Sequence, residues 1–94
     1  MKADLTDSEN RELFDAMRTA VYPKHAGAIS RIERQIDEQL DRMIEARKLG
    51  DDDLWAKAVT NRRSAESALD EALAIRHREC IQFCRNWKSG NRSV

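Results

Sequence analysis

The sequence predicts an all-α protein: a long antiparallel helical hairpin with a short N-terminal third helix packed on its open end. Three observations carry this. From Asp51 to Lys88 the chain has neither glycine nor proline over 38 residues. Gly50 stands alone between two stretches whose apolar residues recur at helical spacing. The only proline, Pro23, follows a shorter stretch of the same kind, and a residue with no N–H that also disfavours helical geometry before it is expected to end a helix there. The chain reads as a single domain over residues 1–94, with helices over about 7–22, 24–49 and 51–88 and a disordered tail over 89–94.

The first helix opens on Thr6-Asp7-Ser8-Glu9, a capping box in which a hydroxyl and a carboxylate three residues apart serve each other's backbone amides. Leu13, Phe14, Met17, Ala20 and Val21 then form one apolar stripe. Tyr22-Pro23 interrupts it. The second helix carries Ile29, Ile32, Ile36, Leu40, Met43 and Ala46 at nearly heptad spacing, with Arg31, Arg34, Asp37, Glu38, Asp41 and Arg42 on its other faces. Gly50 suits a left-handed C-cap, and Asp51 begins the next helix at once, so the connection is tight.

The third helix starts on Asp51-Asp52-Asp53, carboxylates suited to free amides and to the positive end of the helix dipole. It stops at Ser89-Gly90-Asn91. At 1.5 Å per residue it would run about 57 Å, so the rest of a 94-residue chain must lie along it.

A turn at residues 50 and 51 makes facing residues add to about 101 in number. Ile36 then faces Ala65, Ile32 faces Leu69, Ile29 faces Ala72 and Met43 faces Ala58, large against small. Gln39 opposite Arg62 breaks the pattern. Either Arg62 reaches Glu38 or Asp41 at the edge of the seam, or the two make a buried polar layer that sets register. The third helix outruns the second, and the first is long enough to cover the overhang. Phe14, Met17 and Val21 are expected against Cys80, Phe83, Cys84 and Trp87. The hairpin tip has only two helices. Leu40, Ile44, Leu54, Trp55 and Val59 are left there as an apolar surface, and self-association into a homodimer or larger oligomer is the expected cover.

Composition narrows the classes. Apolar residues are 40%, but twelve of them are alanine, so the core is thin. Seventeen basic and seventeen acidic side chains leave no net charge and no global pull toward nucleic acid or an anionic membrane. No apolar run is long enough to span a bilayer, and Met1-Lys2-Ala3-Asp4-Leu5 lacks a signal-peptide core, so a soluble, cytoplasmic protein is expected. Cys80 and Cys84, one helical turn apart, are expected as free thiols.

Chemistry is scarce: no phosphate loop, nucleophile elbow, HExxH or zinc knuckle occurs. His77, Cys80 and Cys84 share a helix face, and the register brings His25 near residue 76. These four are candidate zinc ligands, or else two small core residues and two surface histidines. The second candidate is the basic end of the third helix. Lys24, His25, Arg76, Arg78, Arg85 and Lys88, with Trp87 and Phe83 nearby, suit a nucleic acid or a small nucleotide, or else simply complement the helix dipole. Three aspartates at 51–53 make a poor Mg²⁺ site without further carboxylates.

In size and texture the chain resembles small all-helical accessory proteins of bacteria and their phages, such as inhibitors, secretion chaperones and antitoxin-like regulators. No motif carries that likeness. The expected function is a non-enzymatic, oligomeric helical protein that binds and regulates a partner protein, with no catalytic residues and no cofactor. The alternatives are binding of nucleic acid or a nucleotide through the basic end, and a structural zinc site.

Overall fold

The computed structural model describes residues 5–88. These residues form two α-helices and no strand, α1 over Asp7–Leu49 and α2 over Asp52–Lys88. The separate N-terminal helix expected before Tyr22-Pro23 does not exist. The segments read as helices of about 7–22 and 24–49 are one helix with Pro23 inside it. The stop cluster Ser89-Gly90-Asn91 and the tail over 89–94 lie outside the described residues.

Burial explains why the proline does not break α1. Leu13, Met17, Val21, His25 and Ile29 recur every four residues, a ridge that passes Pro23 while winding slowly round the helix. Leu13, Met17, Val21 and Ile29 are buried and His25 is half-buried. Proline inside a helix costs about 3 kcal/mol, whereas each fully buried aliphatic side chain contributes about 1.5–3 kcal/mol. Several of them outweigh one proline. Thr19, whose carbonyl loses its amide donor to Pro23, is exposed, so water can serve that oxygen. The Thr19 hydroxyl donates to Asp15 O at 2.9 Å.

Both helix starts are capped as the sequence predicts. Glu9 N donates to Thr6 Oγ1 at 3.1 Å and Thr6 N to Glu9 Oε1 at 3.2 Å, the reciprocal pair of a capping box. Leu54 N donates to Asp51 Oδ1 at 3.0 Å, which makes Asp51 the N-cap of α2. Between the helices Gly50 takes φ +67°, a left-handed value. Gly50 N donates to Arg47 O at 3.3 Å and Asp51 N to Ala46 O at 3.0 Å, the paired bonds of a Schellman motif. Asp51 therefore closes one helix with its backbone and opens the next with its side chain.

The chain divides into two contact units, Gly27–Ala74 and a unit made of Met1–Ala26 with Ile75–Val94. Within Gly27–Ala74, Ile29, Ala46, Ala58 and Ala65 are buried. Gln35, Glu38 and Gln39 lie beside Asn61, Ser64, Ala65 and Ala68, so the two helical arms of this hairpin pair in the expected register, with facing numbers near 101. Arg62, however, reaches neither Glu38 nor Asp41. Its Nε lies 3.1 Å from Glu66 Oε1 on its own helix, without the alignment of a hydrogen bond, and buried Gln39 Oε1 has no hydrogen-bond partner among the described residues.

Within the other unit, Met17, Val21 and Cys80 are the buried centre, with Ala20, Phe83 and Cys84 packed on it. Leu13 and Trp87 are also buried, and Phe83 stacks on Trp87 with ring centroids 6.0 Å apart. The contacts expected of Met17 and Val21 form, but α1 itself supplies them. Phe14 does not join; it is 52% exposed.

Candidate functional site

In Gly27–Ala74 the turn of the hairpin brings the last turn of α1 against the first of α2. The Arg47 guanidinium lies over the Trp55 ring, 5.6 Å from its centroid, a cation–π contact. Trp55 is half-buried rather than open to solvent. With Ala46, Arg47, Gly50, Asp51 and Asp52 it lines a shallow depression of about 260 Å³.

The Arg47–Trp55 contact identifies one flank of the hairpin. Leu40 and Ile44 precede Arg47 by seven and three residues, and Val59 follows Trp55 by four, so all lie on that flank. Leu40 is 36% exposed and Ile44 55% exposed; Val59 is half-buried. Leu54, expected on the same surface, belongs to the opposite flank, beside Gln39, Arg42, Lys57, Ala58 and Asn61. Four of the five expected residues are therefore brought together, and the fifth is not. Arg47 was missing from that expectation, although its place next to Gly50 and opposite Trp55 was readable from the register.

Three of the six cations of the second candidate site have partners within their own unit. Lys24 Nζ lies 4.0 Å from Glu79 Oε1, and His25 Nε2 lies 2.8 Å from Glu79 Oε2. The second approach is close but out of line for a hydrogen bond, so it is an ion pair only when the imidazole is protonated. Arg76 stacks over Tyr22 at 4.3 Å. Arg78, Arg85 and Lys88 are exposed. Glu79 was legible as the only acid of residues 76–94, three positions beyond the residue expected opposite His25.

The four candidate zinc ligands do not converge. His25 faces Glu79, His77 is exposed, and among the described residues no group of three or more His, Cys, Asp or Glu side chains is placed to hold a metal. Both cysteines are free thiols. Cys80 is buried, and that burial pushes its thiol above the 9.0 usual for cysteine, with Arg76 pulling the other way. Cys84 Sγ lies 3.8 Å from Met17 Sδ across the helix pair.

Among the described residues no helix is long and apolar enough to cross a membrane. Comparison of the chain with protein-family models, with curated proteins and with solved structures found no match.

Proposed function

We propose that this chain is a non-enzymatic interaction protein that self-associates, and in that form binds and regulates another protein, through the flank carrying Leu40, Ile44, Trp55 and Val59. The observation behind the proposal is the symmetry of that flank. Leu40 and Ile44 are equally far from residue 42, and so are Asp37 and Arg47. Two copies of α1 laid antiparallel about that point bring Leu40 onto Ile44 and Asp37 onto Arg47, twice over. A two-fold contact needs such a self-complementary patch. Ile44, at 55% exposed, supplies apolar area that its own chain leaves uncovered. Free thiols at Cys80 and Cys84 are in keeping with a reducing cytoplasm.

Sedimentation velocity of the full chain tests this. Wild type should sediment as an oligomer, Ile44→Lys and Asp37→Arg should shift it toward monomer, and Asp37→Arg with Arg47→Asp should restore association. A monomeric wild type at tens of micromolar, or a double variant no better than the single one, overturns the reading.

A second reading rests on the exposed Arg78, Arg85 and Lys88 near the end of α2: binding of a nucleic acid or nucleotide. It requires binding of a labelled oligonucleotide at low salt that falls steeply as salt rises. No binding at low salt removes it.

A further inference from the structure

Sulfur is concentrated at one place in this protein. The chain has two cysteines and three methionines, five sulfur side chains in all. Three of them, Met17, Cys80 and Cys84, meet in one core cluster, whose other members Ala20, Val21 and Phe83 offer no competing ligand.

We propose that Met17, Cys80 and Cys84 form a three-sulfur site for Cu(I). Thioether and thiolate are the soft donors that favour this ion over harder ones. Metal–sulfur bonds of about 2.3 Å, the length zinc makes to thiolate, hold the sulfurs of a trigonal set about 4 Å apart. Met17 Sδ and Cys84 Sγ already stand at 3.8 Å. Cys80 is one helical turn before Cys84 on the same face, where neighbouring Cβ atoms are about 5–6 Å apart, within reach of a shared ion by rotation about χ1.

The surroundings act on the ion's charge in both directions. On binding, each thiol gives up its proton to solvent and two sulfur–metal bonds replace the two S–H bonds. Copper enters and stays as Cu(I), so no oxidant or reductant is needed. Two thiolates and one monovalent ion leave a net charge of −1; burial and Glu79 oppose charge on the Cys80 sulfur, Arg76 one turn before it favours it, and the bound ion itself offsets the rest. Phe83 and Val21 keep the site apolar, while the only partly buried Cys84 gives the ion a way in. Zinc fits poorly, because it needs a fourth ligand and neither histidine is turned to the cluster.

The test is an anaerobic titration of the full chain with Cu(I) against a chromophoric Cu(I) chelator, with copper X-ray absorption on the loaded protein. Wild type should take one equivalent and show three sulfur neighbours. Met17→Leu, which keeps the side-chain volume, should lower affinity about tenfold or more and leave two sulfurs; Cys84→Ser should lower it further. Met43→Leu, a methionine in the other unit, should change nothing, and circular dichroism should show every variant folded. A wild type that takes no copper from the chelator overturns the proposal. So does a Met17→Leu variant with wild-type affinity and sulfur count.

Discussion

Arg47 sits over the ring of Trp55, and the two residues belong to the helical turns on either side of Gly50. The contact ties the end of α1 to the start of α2 at the point where the chain reverses, and it decides which apolar side chains share a flank. Trp55→Ala should lower stability by about 3 kcal/mol or less, since the ring is only half-buried. Arg47→Ala should cost about 0.5–1 kcal/mol for the exposed cation–π contact. Urea unfolding followed by circular dichroism measures both. If the two losses add fully in the double variant, the contact carries no coupling energy.

Pro23→Ala should stabilise the protein by about 1–3 kcal/mol, because alanine restores the missing amide inside a continuous α1. A separate N-terminal helix ending at Tyr22 would gain nothing from the change. Thermal melting distinguishes the two, and an unchanged or lower midpoint would count against the unbroken helix.

The turn makes the opposite prediction for Gly50. A Cβ there meets nothing within 4 Å, so Gly50→Ala should cost only the backbone penalty of a left-handed alanine, about 1 kcal/mol. Asp51→Ala should cost a similar amount by removing the bond from Leu54 N. A loss of several kcal/mol for Gly50→Ala would mean that the turn is crowded.

Arg62 occupies a seam position with a buried Nε not aligned on any acceptor among the described residues. Arg62→Leu should therefore raise stability, by about 1 kcal/mol or more, since an apolar side chain packs there without desolvating a charge. If the gain comes with a changed oligomeric state, the Gln39–Arg62 layer sets specificity rather than stability. Unfolding and sedimentation on the same samples separate the two effects.

Cys80 is the group whose titration burial moves upward. In the folded chain its thiol holds a proton that the unfolded chain gives up more readily. Its contribution to stability is complete below pH 9 and falls away as pH rises through the higher folded value. Urea midpoints between pH 7 and 10 under reducing conditions should drop more for wild type than for Cys80→Ala. Equal slopes would mean that the thiol is not desolvated.

Local signals carried a large part of this structure. Thr6 with Glu9, Gly50, and Asp51 with Leu54 are bonded between residues at most a few positions apart, so their chemistry can be read along the chain. The register followed from the turn. Met17 and Cys84 of the other unit, expected together from helix lengths, stand with their sulfurs 3.8 Å apart. Pro23 could not be judged that way. Its penalty is local, but the burial that overrides it belongs to residues on both sides of it, Leu13, Met17 and Val21 before and Ile29 after. The same limit applies to Leu54 and Trp55, adjacent in sequence yet on opposite flanks, and to His25, which found Glu79 instead of the cysteines. Caps and turns are decided by bonds within one helical turn; which stripe wins, and which side chains share a surface, is decided by what the other helix presents.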